Sequence, residues 1–366
     1  VGLRHEASDL DECGQRFSRA FDVHRALQRF HVSRGADGDP ELFLHHLSSE
    51  DVCWALHSDC QGTLVDAVLR LIGPELDWPV LRRAGLGLWL TDGSALRTVL
   101  EALPRAILRR QTAADDLQPE AVSLWYALLG KRSLLQALYR RQTQVPGSQR
   151  VADFLANDLA EEPWRTKAQK NAFELVRQRR FELACAFFVL SGAPQNAMDV
   201  CAQYLDDWPL VLLIGQHLIG SGACPELAEH QRGLLLETLR PLALQAGDPW
   251  LASVACWHAG EWSGALRSVT PPYGGRGEQA GGVRDAGGGA AALFSSGALQ
   301  HSGTSPGLPR FLEVLRAALA KRHLAEAEEA VHALAGDEAN SDEVEAAVAT
   351  AYVARRQPLL AVPPPA

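Results

Sequence analysis

Residues 181–190, FELACAFFVL, form a stretch in which nearly every position is apolar. A helix that is apolar on almost all sides is usually buried between neighbouring helices. Before it, apolar residues recur at helical spacing after Pro163, and charged residues fall largely on the other faces. Gly192 is a natural end, because glycine enters the left-handed cap without steric cost. We therefore predict a buried helical hairpin over residues 154–192.

The same helical period continues through most of the chain. Apolar residues recur in this way over 48–72, 118–141 and 195–269, whereas strand-like alternation and Asn-Gly hairpin turns are absent. These patterns predict an all-α fold, an α-solenoid of stacked antiparallel helix pairs. We expect Pro104 to kink or interrupt the helix that starts after Asp92, because proline removes one backbone hydrogen bond and clashes with the preceding turn.

A weak internal repeat supports the solenoid. Ala184, Gly192 and Ala197 recur with the same spacing as Ala252, Gly260 and Ala265, at an offset of 68 residues. This offset is twice the period of about 34 residues that is typical of two-helix repeats. Small residues at these positions would let two helices approach closely, although chance similarity between alanine-rich helices is the alternative.

Composition divides the chain into five parts. We predict a weakly patterned segment over 1–40, the helical solenoid over 41–270, and a disordered Gly-rich linker over 271–308. The linker contains few large apolar side chains to offset the entropy of ordering it. We expect two or three C-terminal helices within 309–357, over 311–321, 325–334 and 341–356, and a Pro-rich tail over 358–366.

Charge and cysteine content exclude several classes of protein. The net charge is −9 and the sequence pI is about 5.8, which argues against binding to nucleic acid, since that requires clustered Lys and Arg. The longest apolar runs, such as residues 210–214, are far too short to span a bilayer.

The seven cysteines show no disulfide framework, and this pattern favours a reducing, cytosolic environment.

The sequence contains two weak candidates for a chemical site, a possible zinc site and a possible catalytic triad. Cys53, His57 and Cys60 are spaced to share one face of a helix and could hold zinc, but no fourth ligand lies nearby in sequence, so we interpret them as packing residues. His57, Ser58 and Asp59 have the residue types of a hydrolase triad, yet consecutive helical residues point in different directions and cannot converge. We predict no catalytic residue, no cofactor and no metal.

Residues 154–192 resemble a signature of the DmX or rabconnectin family. The matching residues are, in order, Phe154-Leu-Ala-Asn157-Asp158, Trp164-Arg165-Thr166, Lys170-Asn171-Ala172-Phe173, Phe181-Glu182 and Ala186-Phe187-Phe188. Similar blocks lie upstream, so the resemblance covers about residues 45–220; they are Trp54-Ala-Leu-His57-Ser58, Gly87-Leu-Trp89-Leu90 and Leu124-Trp-Tyr126-Ala-Leu-Leu-Gly-Lys131. Leu159 replaces an aromatic residue and Pro163 an arginine of the family pattern.

The resemblance implies a scaffold and not an enzyme. The family includes the large subunit of the RAVE complex, which promotes association of the peripheral and membrane sectors of the vacuolar proton ATPase. The implied partners are subunits of that peripheral sector and other RAVE subunits. The implied location is cytoplasmic, attached to endosomal or vacuolar membranes through partners, and WD-repeat propellers would precede this region. The alternative is a generic helical-repeat adaptor in vesicle trafficking.

One basic cluster is a candidate docking surface for an acidic partner. It stands out because the chain as a whole is acidic. We predict that rim charges of this kind steer association, while Trp164 is either a core residue or an interface anchor. The candidate interaction residues are Trp164, Arg165, Lys167, Lys170, Arg179 and Arg180. The alternative for the basic residues is a solvated face that complements the helix dipole.

Overall fold

The computed structural model describes residues 9–33, 47–142, 144–269 and 308–335. Within these ranges every regular element is helical and none is a strand, which confirms the prediction of an all-α stack of helix pairs. The chain divides into two compact units, residues 1–300 and 301–366. The segments 34–46, 270–307 and 336–366 lie outside the described residues, as do the expected linker, the helix over 341–356 and the tail. The predicted division of the chain into five parts stays a prediction.

The first unit contains seventeen α-helices within its described ranges. In chain order they are α1 (Glu12–Ser33), α2 (Ser49–Leu56), α3 (Gln61–Ile72), α4 (Trp78–Arg83), α5 (Leu86–Trp89), α6 (Gly93–Ala113), α7 (Glu120–Leu128), α8 (Arg132–Arg141), α9 (Ser148–Leu155), α10 (Glu162–Arg177), α11 (Phe181–Leu190), α12 (Pro194–Gln203), α13 (Trp208–Gly220), α14 (Leu227–Gly233), α15 (Arg240–Gln245), α16 (Pro249–His258) and α17 (Trp262–Val269). A π-helical segment, Leu234–Leu239, joins α14 to α15.

The central hairpin forms as the local pattern predicts. Pro163 lies in the first turn of α10, where its missing N–H costs no helical hydrogen bond. Residues 183–188 of α11 are all buried, because α11 packs against α7, α10 and α12. Gly192 ends α11 with a φ of 69°, in the left-handed region that favours glycine.

The helix pairs form two rows that pack against each other. Helix α7 packs on α11, α5 and α6 pack on α13, and α2 packs on α16. Polar contacts join the rows: Trp78 Nε1 donates to Asp207 Oδ2 at 2.7 Å, and the Ser49 hydroxyl donates to Asp248. The contacts of a simple solenoid are confined to neighbouring repeats. This stack adds contacts between helices that are about 200 residues apart in the sequence, as between Ser49 and Asp248.

One glycine sets the distance between the rows. A Cβ atom on Gly87 of α5 would lie 1.8 Å from the backbone oxygen of Pro209 on α13, far inside van der Waals contact. Trp89, two residues later, is fully buried and donates from Nε1 to the Ala84 oxygen at 3.0 Å. The Gly87-Leu-Trp89 block is therefore a packing motif, in which glycine permits close approach and tryptophan fills the core.

The extents of two helices differ from the expected ones. Helix α6 is not interrupted at Pro104, which is buried with Leu100 and Leu103, and this packing offsets the hydrogen bond that proline cannot make. The helical pattern over 48–72 is interrupted between α2 and α3. There the side chain of Gln61 donates to the Trp89 oxygen at 2.8 Å and accepts from the amide of Asp92 at 2.9 Å, so it holds the end of α5 and the start of α6.

The second unit contributes one described helix, α18 (Leu308–Ala335). The sequence suggested separate helices over 311–321 and 325–334, but they are one helix, since no glycine or proline lies between them. Phe311, Leu315 and Leu319 are buried and recur every four residues, so they form a single apolar stripe.

Candidate functional site

Helix α10 and the turn that follows it carry all six candidate interaction residues. Trp164 is half-buried: its ring lies 6.0 Å from the ring of Phe154, which in turn stacks on Phe187 at 5.8 Å. The Lys167 ammonium lies 4.1 Å from the centre of the Trp164 ring, a cation–π distance. One side of the Trp164 ring therefore packs towards the core through Phe154, and the exposed Lys167 side chain contacts its face.

The candidate cations do not form one continuous face. Arg165 and Lys167 are two residues apart on α10, so they point to opposite sides of the helix. Arg165 pairs with Glu162 of the same helix, and Arg180 pairs with Glu120 at the start of α7. Arg165 and Arg180 thus have carboxylate partners within the fold.

Lys170 and Arg179 are different from these two. Both are exposed, and neither side chain has a hydrogen bond or an ion pair within the described part of the chain. Arg179 lies in the turn between α10 and α11 with a φ of 59°, a left-handed conformation that is uncommon for a residue with a side chain. The turn therefore places a cation where glycine would be the usual residue.

An exposed aromatic residue, which the sequence pattern missed, lies beside these cations. Phe173 is 57% exposed, and its ring packs edge-on against Phe188 at 5.0 Å. Lys170, Phe173 and Arg177 lie at i, i+3 and i+7, so they share one side of α10. We name Lys167, Lys170, Phe173 and Arg177 the α10 outer face; its spacing could have been read from the sequence, because Phe173 falls outside the buried stripe.

The acidic residue beside this face is tied to Arg177. Two hydrogen bonds, of 2.6 Å and 2.8 Å, join the Arg177 guanidinium to the Glu174 carboxylate. These bonds from Arg177, together with one from Gln178, lower the pKa of the Glu174 carboxyl to about 2. Glu174 is therefore ionised at neutral pH and balances Arg177, so Lys167, Lys170 and Arg179 supply the net positive charge.

The possible zinc ligands are not brought together. Helix α2 ends at Leu56 and Cys60 precedes α3, so Cys53, His57 and Cys60 do not share one helix, contrary to their spacing. The His57 ring packs edge-on against Trp257 at 4.4 Å, and the Cys53 thiol donates to the Trp250 oxygen at 3.4 Å. Burial raises the pKa of the Cys53 thiol well above its usual value, which disfavours the thiolate that zinc requires.

Two of the residues with triad-like types, Ser58 and Asp59, contact the start of α1. Ser58 Oγ donates to Asp11 Oδ1 at 2.9 Å, and the backbone amide of Asp59 donates to Asp11 Oδ2 at 2.6 Å. These contacts hold the segment between α2 and α3 against the start of α1. In the described ranges no group of three or more His, Cys, Asp or Glu side chains is arranged to hold a metal ion.

The fold and the surface define a class of protein: a helical-repeat protein with a dense core and an exposed aromatic residue among cations on one outer helix. The family model described as "RAVE protein 1 C terminal" matches residues 2–285. The chain belongs to this family, which confirms the resemblance seen in the sequence. No helix within the described ranges is long and apolar enough to cross a bilayer.

Three relatives give the scale of the match. The chain is 28% identical over 268 residues to DmX-like protein 1 of Homo sapiens, covering 71% of this chain and 8% of that protein. It is 29% identical over 229 residues to "Regulator of V-ATPase in vacuolar membrane protein 1" of Schizosaccharomyces pombe, covering 63% and 17%. The protein of that name from Saccharomyces cerevisiae is 26% identical over 236 residues, covering 63% and 16%. The chain thus matches less than a fifth of each relative's length.

Proposed function

We propose that this helical region is a protein-binding scaffold within a regulator of the vacuolar proton ATPase. The family match over residues 2–285 carries this proposal, together with the printed name of the two yeast relatives. The proposed activity is to promote association of the peripheral sector with the membrane sector, and hence acidification of the organelle. The region would act by presenting surfaces and not by catalysis.

The proposed partners are subunits of the peripheral sector and other subunits of a RAVE-type complex. The proposed location is the cytoplasm, with attachment to endosomal or vacuolar membranes through those partners. The word "regulator" in the relatives' names supports a binding role. A dense helical core with uncovered polar faces also supports it, because stacked helix pairs typically bind other proteins along extended surfaces.

The α10 outer face, extended by Arg179, is the docking surface that we propose for a pump subunit. Interface cores are enriched in aromatic residues and arginine, and Phe173 is an exposed ring flanked by Lys170 and Arg177. Cations around such a ring would steer an acidic partner and set the salt dependence of binding. Arg165 and Arg180 would support the helix from within the fold, since each already has a carboxylate partner.

Binding of the 366-residue protein to the isolated peripheral sector tests this surface. The variant Lys170→Glu/Arg179→Glu removes no internal ion pair, so we expect it to fold as the wild type. We expect it to bind about tenfold more weakly at low salt and less so at physiological salt, because the contribution is electrostatic. A matched control is Arg19→Glu/Arg267→Glu, which changes the charge equally at two other exposed arginines without a partner in the described residues.

Two outcomes would contradict the proposal at different levels. If the folded variant binds like the wild type at both salt concentrations, the α10 outer face is not the docking surface. If the wild-type protein does not bind the peripheral sector, the link to the pump is wrong, and a generic trafficking adaptor becomes the better interpretation. Circular dichroism of each variant serves as the folding control.

A further inference from the structure

The α8–α9 hairpin carries a positive charge that the docking surface on α10 does not include. No Asp or Glu occurs from residue 121 to residue 152, in a chain whose net charge is −9. The same stretch contains five cations, namely Lys131, Arg132, Arg140, Arg141 and Arg150. A basic region of this length in an acidic protein needs a physical explanation.

The hairpin is held firmly against the rest of the unit. The hydroxyl of buried Tyr139 lies 3.0 Å from Ser123 Oγ on α7. Gln136 Nε2 donates to the Ala152 oxygen at 3.2 Å and thereby joins α8 to α9. Arg132 donates to the Asn157 oxygen at 2.9 Å. The outer side of the hairpin is therefore presented in a fixed orientation.

Within the described residues, two of the five cations have carboxylate partners. Lys131 lies 3.6 Å from Glu101, and Arg132 lies 3.9 Å from Asp158. Arg140, Arg141 and Arg150 are exposed, and their side chains make no hydrogen bond or ion pair within the described ranges. The acidic side chain nearest in sequence to Arg150 is Asp153, which accepts a hydrogen bond from Gln149 at 2.8 Å.

Apolar side chains lie beside Arg141 on α8. Leu134 is 44% exposed, and Leu138 is partly exposed. Leu134, Leu138 and Arg141 lie at i, i+4 and i+7, so they form one stripe along α8. Helix α8 packs mainly against α7 and α9, on the side of Leu135 and Tyr139, which leaves this stripe uncovered by the described helices.

We propose that the α8 stripe of Leu134, Leu138 and Arg141, together with the exposed Arg140 and Arg150 of the same hairpin, binds an acidic amphipathic helix of a partner protein. The partner would place leucine-like side chains on the apolar stripe and carboxylates on the three arginines. All three free cations are arginines, whose planar forks match carboxylates in two-bond geometry. Helix-in-groove recognition combines the same two elements, an apolar stripe and flanking charges.

Other anionic surfaces fit this site less well. The net charge of −9 opposes every anionic partner, but it opposes extended ones most, because nucleic acid or a membrane also faces the acidic parts of the chain beyond this hairpin. Three exposed arginines are fewer than the basic clusters that bind anionic membranes, and the described helices include no long apolar segment for insertion. A folded acidic helix needs only a local basic stripe, which this hairpin has.

Fluorescence anisotropy with a labelled 18-residue helical peptide tests the proposal; the peptide carries one stripe of leucines with glutamates along both edges of that stripe. We expect the wild-type protein to bind it, and Arg140→Glu/Arg141→Glu/Arg150→Glu to weaken binding at least about tenfold, because attraction becomes repulsion. The neutralising variant Arg140→Gln/Arg141→Gln/Arg150→Gln should weaken it less. Leu134→Ser should weaken it even at high salt, because its contribution is apolar.

The control Arg19→Glu/Arg109→Glu/Arg267→Glu has the same change in net charge at exposed arginines elsewhere and should bind the peptide like the wild type. Equal losses in this control and in the α8–α9 variant would overturn the proposal, as would an unchanged affinity in the α8–α9 variants. Preference of the wild type for phosphatidylserine vesicles over the peptide would also overturn it. Lys170→Glu/Arg179→Glu should leave peptide binding intact, so failure here is distinguishable from failure of the pump-binding proposal.

Discussion

The α11–α12 and α16–α17 hairpins are two versions of one unit. Both begin with a ten-residue helix, and the starts of both helices in the second hairpin lie 68 residues after those in the first. Ala184 and Ala197 in the first hairpin, like Ala252 and Ala265 in the second, are completely buried. Their turns contain Gly192 and Gly260, with φ of 69° and 73°. The echo in the sequence therefore corresponds to equivalent positions in the structure.

The hairpins differ in the volume that fills the space around these alanines. Phe188 is completely buried in α11, whereas the equivalent position in α16 is Cys256, which is also buried. The neighbours differ accordingly: α11 packs on α7, α10 and α12, and α16 packs on α2, α15 and α17. The comparison teaches that the buried alanines keep the close packing of the two helices the same in both hairpins. The larger side chains differ because each hairpin packs against different neighbouring helices.

The largest expected effect is a difference in stability loss between the hairpins when the side chain at the equivalent position, Phe188 or Cys256, is shortened. Phe188→Ala should lower the free energy of unfolding by about 3–5 kcal/mol, because it leaves a phenylalanine-sized cavity in α11. Cys256→Ala, at the equivalent position, should lower it by only about 1 kcal/mol, because a buried thiol acts as a small apolar group. Urea denaturation followed by circular dichroism measures both.

Phe188→Leu is the matched control for the first variant. It keeps most of the buried volume, so the loss should stay below about 1.5 kcal/mol. Equal losses in Phe188→Ala and Cys256→Ala would show that packing around the two hairpins does not differ as the structure indicates.

Replacing the glycine in the turn should cost the same stability in both hairpins, and this is the second-largest effect that we expect. Gly192→Ala and Gly260→Ala should each lower the free energy of unfolding by about 1–2 kcal/mol, because alanine is strained in the left-handed conformation. A Cβ at Gly192 would meet no atom within 4 Å, and at Gly260 only Trp262 at 4.0 Å, so the cost comes from the backbone alone.

Gly62→Ala is a control that should raise the free energy of unfolding and not lower it. Gly62 lies in α3 with open space around it and without a positive φ, so alanine should stabilise the helix by about 0.5–1 kcal/mol. A loss in Gly192→Ala with no change in Gly260→Ala would mean that the two turns are not equivalent, and that the repeat is a chance similarity. The same denaturation measurement decides this.

Local signals in the sequence were sufficient for much of the fold. The apolar run 181–190, Gly192 and Pro163 correctly predicted the central hairpin, because each acts within one or two helical turns. The pairing of the two rows could not be predicted in this way. Ser49 and Asp248 are about 200 residues apart, and nothing near either residue indicates the other. Tertiary packing likewise overrides the local preference at Pro104.

The candidate site was only partly predictable. The basic residues were found by composition, but grouping them as one face ignored the helical period that separates Arg165 from Lys167. Phe173 was noted only as part of the family signature, and its exposure on the outer side of α10 was missed. The residues that carry the family resemblance include buried Trp54 and Trp89, so a sequence match at these positions reports the core and not the docking surface.

The smallest expected effect concerns one hydrogen bond that the hairpins share. Ser253 Oγ donates to the Ala265 oxygen at 2.9 Å, and the equivalent Cys185 thiol lies 3.5 Å from the Ala197 oxygen. Ser253→Ala should lower the free energy of unfolding by about 1 kcal/mol, because a buried hydroxyl bond is lost. Cys185→Ser should change it by less than about 1 kcal/mol, since the new hydroxyl is a stronger donor facing the same type of carbonyl oxygen.

Ser263→Ala, at an exposed serine of α17, is the control for Ser253→Ala and should stay within about 0.5 kcal/mol of the wild type. If Cys185→Ser costs as much as Phe188→Ala, the hydroxyl does not reach the Ala197 oxygen, and the two sites are not interchangeable. If it is tolerated while Ser253→Ala is not, both hairpins use the same bond between their two helices. The equivalence would then extend from backbone geometry to side-chain chemistry.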